Sequence, residues 1–245
     1  MFGLFKSKPS STDLSILKVD MHSHLIPGID DGSQNMASSV ELIKGMKELG
    51  YVKLITTPHI LGEIYPNGPD NILDGLDRLR KELDKQGVEM ELHAAAEYYL
   101  DEKVEQLLEK KQRLLTLKDN LVLVEFSMAY ASHGLKSILF EMQMQGYQPV
   151  IAHPERYIYY QQQKEFYDEL KDIGCWFQLN LLSLTTHYGK TVNELANYLI
   201  KGSYYDLAGT DLHHAGHIEA LKQPAIGMGL EKLLAGNKIR NAELI

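Results

Sequence analysis

The chain has 245 residues, of which 44% are hydrophobic and 24% are charged, and its formal net charge is −8. This length suits one β/α barrel of about 250 residues, while an acidic chain without a dense Lys/Arg run is poorly suited to nucleic-acid binding. We therefore predict no nucleic-acid partner. No apolar run approaches the roughly 20 residues that span a bilayer, so we also predict no stable membrane insertion.

Residues 1–16 are predicted to form an N-terminal tail, since this stretch lacks the apolar core of a signal peptide. Two Phe and two Lys near its start leave a weak membrane-surface contact as the alternative. Cys175 is the only cysteine, so no internal disulfide forms. This fits a reducing cytoplasm, where we expect the protein to act, and we predict that Cys175 is a core residue rather than a nucleophile.

Seven short runs rich in Val, Ile or Leu are typical of strands covered on both faces. They are Leu17–Met21, Lys53–Thr56, Glu89–Ala96, Leu121–Phe126, Pro149–Ala152, Trp176–Asn180 and Tyr205–Ala208. Apolar residues at helical spacing mark the stretches between them: Ser38–Leu49, Ile72–Gln86, Asp101–Gln112, Gly134–Gln145, Gln161–Asp172 and Val192–Lys201, with one or two more helices after Gly216. This alternation predicts an α/β fold of parallel strands, as one domain over residues 17–245 shaped as an open or distorted (β/α)7 TIM-like barrel.

Side chains that can bind metal follow six of the seven predicted strands: His22 and His24, His59, Glu97, Glu125, His153, and Asp211 with His213. The members of the first pair, His22 and His24, and of the last pair, Asp211 and His213, are two residues apart. In a strand this spacing points both side chains of a pair to the same face. β/α-barrel enzymes gather their active sites at the C-terminal ends of the strands. The pattern therefore predicts a multinuclear metal centre and a metal-assisted hydrolase.

Each of these residues also has a non-functional interpretation when it is taken alone. A single His-x-His pair is common, His59 alone would more often be structural, and Glu125 alone could form a salt bridge. Their joint occurrence at six strand ends is what favours the metal centre. Among the other histidines, His217 lies four residues after the last ligand pair and is a candidate site residue, while the loop Ile60–Asp70 could form a rim or lid.

Several of these stretches resemble the PHP family, named for polymerase and histidinol phosphatases. They are Asp20-Met21-His22-Ser23-His24, Ile26-Pro27-Gly28-Ile29-Asp30-Asp31-Gly32, Thr56-Thr57-Pro58-His59, Ala96-Glu97-Tyr98-Tyr99, Val124-Glu125-Phe126, Ile151-Ala152-His153-Pro154-Glu155-Arg156-Tyr157 and Gly209-Thr210-Asp211-Leu212-His213. The Asp-Asp-Gly and His-Pro-Glu-Arg-Tyr motifs are specific to the bacterial tyrosine-protein phosphatases of capsule and exopolysaccharide systems. The matches run in order over most of the chain.

The resemblance implies a trinuclear centre, with Mn²⁺ as the expected ion and iron, magnesium or zinc as substitutes. One metal would be bound by His22, His24, Glu97 and Asp211, the second by Glu97, Glu125 and His153, and the third by Asp31, His59 and His213. Glu97 would bridge the first two metals, and position in the motif favours Asp31 over Asp30 as the ligand. Arg156 would bind the substrate phosphate, and His217 is a candidate to assist the leaving group.

The implied activity is hydrolysis of phosphotyrosine on a protein, with a tyrosine kinase of capsule or exopolysaccharide synthesis as the expected partner. A metal-bound hydroxide would attack phosphorus in line, while the metals and Arg156 neutralise the equatorial oxygens. Three divalent cations and four carboxylates leave a formal surplus of about two positive charges, which suits a phosphate dianion.

Three other interpretations remain. A phosphatase of the same fold could act on a small phosphomonoester such as histidinol phosphate. A deacetylase or amidohydrolase is a second alternative, but such enzymes commonly use a carboxylated Lys, and no Lys stands at the strand ends where Glu97 and Glu125 do. A third alternative is a non-catalytic scaffold for a tyrosine kinase, which would fit the 14 Tyr. The chain also departs from its branch twice: Ile60–Tyr65 has no basic residue, and the region His214–Glu219, just after the last ligand pair, has no Arg. His217 stands in that second region, but an imidazole cannot reproduce the two-pronged grip of a guanidinium.

Overall fold

The structure is a computed structural model and describes residues 12–131 and 134–245. The strand segments in this part of the chain are β1 Val19–Asp20, β2 Lys53–Thr56, β3 His59–Ile60, β4 Glu91–Ala94, β5 Glu97–Tyr99, β6 Leu121–Glu125, β7 Gln148–Ala152, β8 Trp176–Asn180 and β9 Leu207–Gly209. The α-helices are α1 Met36–Glu48, α2 Pro69–Lys85, α3 Glu102–Glu109, α4 Leu135–Met144, α5 Glu165–Asp172, α6 Lys190–Lys201, α7 Ala215–Leu221 and α8 Pro224–Gly236. Strands and helices alternate along most of the chain, as predicted.

All strand pairs are parallel and fall into two sheets, ordered β1-β2-β4 and β3-β5-β6-β7-β8-β9. The two sheets are joined through the chain itself, because β2 leads into β3 across Thr57-Pro58 and β4 leads into β5 across Ala95-Ala96. At the other edge, Ser23 and Leu212 form an isolated parallel bridge. This bridge brings the chain that follows β1 next to the chain that follows β9. The parallel α/β class is confirmed, and this interrupted ring is compatible with the predicted distorted (β/α)7 barrel.

Two predicted strand boundaries are wrong. The third predicted strand, Glu89–Ala96, is shorter, at Glu91–Ala94, and Glu97 begins a separate strand segment instead of ending this one. His59 likewise lies within a short strand and pairs with Glu97. Pro58 lacks a peptide N–H and so interrupts the ladder between β2 and β3, a break that the apolar pattern alone does not reveal.

The central strands are mostly apolar because each face packs against a different layer. In β6, Val122 and Val124 belong to the large core shared with the surrounding helices. Leu123 between them points the other way and joins a smaller interior cluster with Val19 and Val150. This two-sided burial explains why strands such as β6 have no polar face, whereas β4 exposes Glu91 and His93.

The C-terminal 3₁₀ helix Asn241–Leu244 covers the N-terminal ends of the strands. The Asn241 side chain accepts a hydrogen bond from the Ala208 N–H at 2.9 Å and donates to the Val19 carbonyl at 2.9 Å. Lys53 donates to the Leu244 carbonyl at 2.8 Å. This end of the strands is therefore closed, and the opposite, C-terminal ends are left for a site.

The predicted tail is only partly described, since residues 1–11 lie outside the described residues. Thr12 and Leu14 are buried, and the Leu14 N–H donates to the Leu49 carbonyl at 2.8 Å. Cys175 is buried in the large core, as predicted, and burial raises the pKa of its thiol to about 12. No helix among the described residues is long and apolar enough to cross a membrane.

A buried carboxylate joins the two ends of the strand order. Asp20 accepts hydrogen bonds from the peptide N–H of Thr210 at 2.8 Å and from its hydroxyl at 2.9 Å. We expect Asp20→Ala to lower the free energy of unfolding by about 1–3 kcal/mol, because it leaves two buried donors unpaired. Urea denaturation would measure this change. The exposed Asp74→Ala on α2 serves as the control, and equal stability of the two variants would contradict the prediction.

Candidate metal centre

The nine side chains predicted to bind metal converge at the C-terminal ends of the strands. Seven of them line one cavity of about 520 Å³: Asp31, His59, Glu97, Glu125, His153, Asp211 and His213. His22 and His24 are fully buried beside them. Arg156 and His217 line the same cavity.

The deepest cluster contains His22, His24, Glu97 and Asp211, whose ligand atoms all lie within 4.8 Å of one another. The Nε2 atom of His22 lies 3.1 Å from Glu97 Oε2 and 3.3 Å from Asp211 Oδ1. The Nε2 atom of His24 lies 3.5 and 3.4 Å from the same two oxygens. This group has the same four members as the first predicted ligand set.

A second cluster contains His59, Glu97 and Glu125. His59 Nδ1 lies 3.2 Å from Glu97 Oε2 and 3.0 Å from Glu125 Oε1. On the other side of the Glu97 carboxylate, His153 Nε2 lies 3.2 Å from Oε1. Glu97 therefore lies between the predicted first and second ligand sets. His59, which was predicted only for the third ligand set, also lies beside the carboxylates of the second set.

The third cluster contains Asp31, His59 and His213, as predicted, together with His24. Asp31 Oδ1 lies 3.4 Å from both His59 Nε2 and His213 Nε2. Asp31 is half-exposed, unlike Glu97, so this cluster lies at the solvent side of the cavity.

The donor set fits divalent transition metals or magnesium, since imidazole nitrogens and carboxylate oxygens are their ordinary ligands. Two features favour ions over a hydrogen-bonded network of protein groups alone. The buried Oε1 atom of Glu97 lies 3.2 Å from His153 Nε2 but accepts no hydrogen bond of good geometry among the described residues. The ring nitrogens of His22 and His24 face each other at 3.4 Å, which suits two ligands aimed at one cation.

Backbone geometry at the strand ends is unusual in the same place. His153, just after β7, has φ 33°, and Asp211, just after β9, has φ 51°. Non-glycine residues rarely adopt left-handed backbone, and such strain concentrates at functional sites.

Gly32 is required for a different reason: a Cβ atom there would lie 2.3 Å from the His24 Cβ. The Asp30-Asp31-Gly32 loop can therefore fold tightly over His24.

Two further side chains, whose roles were not predicted from the sequence, form hydrogen bonds with the two deepest histidines. Gln178 Oε1 lies 2.9 Å from His22 Nδ1, and Asp30 Oδ2 lies 2.8 Å from His24 Nδ1. Both leave Nε2 turned toward the cluster. Partners of this kind fix the ring orientation and the tautomer of metal-binding histidines. The only sequence signal for Gln178 was an amide within an otherwise apolar strand.

We expect Asp30→Asn to weaken metal affinity by about 10- to 100-fold, because His24 loses the charged partner that orients it. A competition titration of Mn²⁺ against a chelating dye would measure the effect. Asp84→Asn on the exposed face of α2 is the control. Unchanged Mn²⁺ affinity in Asp30→Asn would show that Asp30 does not support the site.

Charges in the centre are mutually stabilised. Burial alone would lower the pKa of His24, but the neighbouring Asp30, Asp211 and Glu97 carboxylates raise that pKa well above its usual value. Burial alone would raise the pKa of Glu97, yet the surrounding histidines hold it well below the usual range. These opposite shifts show an anionic group of carboxylates that attracts positive charge.

The two predicted substrate-contacting residues lie at one side of the cavity. Arg156 follows β7 and donates from Nη1 to Asp211 Oδ2 at 2.9 Å. His217 is buried, and its Nδ1 accepts from the His213 N–H at 3.4 Å. Burial, with His214 and His213 nearby, lowers the pKa of His217 to about 4. A neutral His217 could contact substrate, and its catalytic role stays a prediction.

The rim of the cavity includes part of the predicted lid. Tyr65 lines the cavity, and its ring stacks on the His59 imidazole with centroids 5.5 Å apart. Asn67 donates to the His59 carbonyl at 2.8 Å, which ties the loop down. His187 packs edge-on against His217 at 5.4 Å, whereas His133 lies outside the described residues.

Fold and site together define a metal-binding hydrolase with parallel β/α architecture. The chain belongs to the CpsB/CapC family of capsular polysaccharide synthesis, whose model matches residues 18–233. It is 29% identical to the tyrosine-protein phosphatase YwqE of Bacillus subtilis over 197 residues, which are 80% of this chain and 77% of the relative. It is also 27% identical to the tyrosine-protein phosphatase CpsB of Streptococcus agalactiae over 203 residues, 80% of this chain and 83% of the relative.

Among solved structures, the fold is similar to a chain from the crystal structures of YwqE from Bacillus subtilis and CpsB from Streptococcus pneumoniae, described as metal-dependent tyrosine phosphatases. The TM-score is 0.76 at 27% identity, and the match covers 90% of this chain and 96% of the solved chain. The predicted family and branch are thereby confirmed.

Proposed function

We propose that this protein is a metal-dependent protein-tyrosine phosphatase that acts on a phosphotyrosine protein of capsule or exopolysaccharide synthesis, with a bacterial tyrosine kinase as its substrate. The observation that carries the proposal is the position of Glu97, surrounded by His22, His24, His59 and His153 at 3.1–3.5 Å in a cavity that also contains Arg156. The named activities of YwqE and CpsB support it.

The proposed cofactors are three divalent ions, with Mn²⁺ as the first choice. They would be bound by the three ligand sets described above, and they would supply positive charge and an activated water. Around them, Asp30 and Gln178 hold two histidine rings in place. Arg156 provides guanidinium donors for the phosphate oxygens, since Nη1 alone is engaged with Asp211 among the described residues.

An aryl phosphate suits this cavity better than an alkyl phosphate. Its lining includes the aromatic or apolar side chains Leu61, Tyr65, Tyr99 and Met128, which can pack against a phenyl ring. A phenolate is also a better leaving group than an alkoxide, so the reaction needs less help from a general acid such as His217. We further propose one catalytic domain over residues 17–245 that acts in the cytoplasm.

Chelation provides the direct test of this proposal. We expect the protein to release phosphate from a phosphotyrosine peptide, to lose this activity after EDTA treatment and dialysis, and to regain it with Mn²⁺. A phosphoserine peptide and histidinol phosphate serve as the comparison substrates in the same phosphate-release assay. Turnover of histidinol phosphate alone would overturn the protein substrate, and full activity of the metal-free protein would overturn the metal dependence.

A further inference from the structure

We infer that Tyr188 and Asn180 are positioning residues that hold the Arg156 guanidinium in the orientation needed to bind a phosphate group. The inference deepens the proposed function and rests on it only in that Arg156 binds the phosphate. Neither residue lies in a ligand motif, and neither was selected by the sequence analysis.

Arg156 has two supports in the cavity. Its Nη1 donates to Asp211 Oδ2 at 2.9 Å, and its guanidinium carbon lies 4.5 Å from the centre of the Tyr188 ring. A carboxylate alone leaves the guanidinium free to pivot about that contact. An aromatic ring adds a cation–π attraction that favours one position over the ring face. Together the two supports restrain the remaining N–H donors of Arg156.

One amide couples the two supports. Asn180 Nδ2 donates to the Tyr188 hydroxyl oxygen at 3.2 Å and to Asp211 Oδ2 at 3.0 Å. Its orientation is fixed, since Asn180 Oδ1 accepts from the Leu182 N–H at 3.0 Å and an ionised carboxylate only accepts. Asn180 is fully buried at the end of β8. A movement of either support would therefore break a buried hydrogen bond.

The backbone of Asn180 is itself anchored. Its N–H donates to Glu155 Oε1 at 3.0 Å, and the Tyr205 hydroxyl donates to the other Glu155 oxygen at 2.9 Å. Glu155 directly precedes Arg156 in the chain. The His-Pro-Glu-Arg-Tyr segment and the end of β8 are thus fastened together at the residue immediately before Arg156.

The effect of the ring is measured by a double-mutant cycle in the Mn²⁺-loaded protein. The four forms are wild type, Tyr188→Leu, Arg156→Ala and the double variant. Two quantities are compared: hydrolysis of 4-nitrophenyl phosphate, and inhibition by inorganic phosphate. We expect Tyr188→Leu to raise both KM and the phosphate inhibition constant about tenfold, with a smaller change in kcat. In the Arg156→Ala background, the same change should have no further effect.

Two matched variants control for structure. Tyr188→Phe retains the ring but loses the hydrogen bond from Asn180, so its KM and phosphate inhibition constant should lie between those of wild type and Tyr188→Leu. Tyr198→Leu removes a comparable contact, that of Lys164 Nζ at 4.3 Å from a tyrosine ring outside the cavity, and should leave phosphate inhibition unchanged. Thermal unfolding and bound Mn²⁺ are checked for every variant. If Tyr188→Leu folds poorly, Tyr188→Met replaces it.

Additive effects of Tyr188→Leu and Arg156→Ala would overturn the inference, as would a fall in kcat with phosphate inhibition unchanged. An Arg156→Ala variant with normal phosphate inhibition would overturn it too, because Arg156 would then not bind phosphate. Failure of the proposed protein substrate is distinguishable from all three results. In that case 4-nitrophenyl phosphate is hydrolysed and the phosphotyrosine peptide is not. The double-mutant cycle still tests whether Tyr188 acts through Arg156, because it does not use the peptide.

Discussion

Replacing Glu97 with Gln is expected to reduce kcat by at least about a thousandfold. Glu97 is fully buried and lies within 3.5 Å of four predicted histidine ligands. An amide keeps the size of the carboxylate but loses its charge, so the two ligand sets that share Glu97 both weaken. Loss of several kcal/mol of metal-dependent transition-state stabilisation corresponds to this change in rate.

The measurement is kcat for a phosphotyrosine peptide, together with the bound metal determined by mass spectrometry of the purified protein. Glu109→Gln, an exposed change on α3, is the matched control and should retain full activity. A Glu97→Gln variant with full metal content and near-normal kcat would show that Glu97 is a structural carboxylate rather than a bridging ligand.

Arg156→Lys is expected to lower kcat/KM for a phosphotyrosine peptide by about a hundredfold while metal content stays unchanged. Lysine retains the positive charge, but it cannot grip a phosphate with two parallel donors or stack on Tyr188. The Asp211 carboxylate remains next to the lysine, so the ligand clusters are preserved. The loss should therefore appear in phosphate binding and transition-state stabilisation rather than in metal affinity.

Steady-state kinetics at saturating Mn²⁺ would measure the Arg156→Lys effect. Arg113→Lys is the control because Arg113 lies outside the cavity. Comparable kcat/KM values for the two variants would mean that positive charge alone suffices at residue 156. A parallel loss of metal would instead indicate that the Arg156–Asp211 contact is needed to shape the ligand cluster.

Both the fold class and the set of residues that gather at the candidate site were predictable from the sequence. Apolar runs of strand length alternating with helical spacing predicted parallel β/α units, because strands buried on both faces have no polar side. The repeated placement of His, Asp and Glu after these runs predicted that side chains as distant as His22 and His213 would meet. This follows because the C-terminal ends of parallel strands lie at one end of a barrel.

The individual contacts among these residues were not predictable from the sequence and are seen in the three-dimensional structure. The register between neighbouring strands places Glu97 among four histidines, brings His59 to Glu125, and separates Asp30, which holds His24, from Asp31 in the cavity. The contact of Tyr188 with Arg156 is of the same kind. Local periodicity reports burial and secondary structure, whereas contacts at 3–4 Å between distant residues depend on strand register, backbone strain and loop closure, which no local pattern encodes.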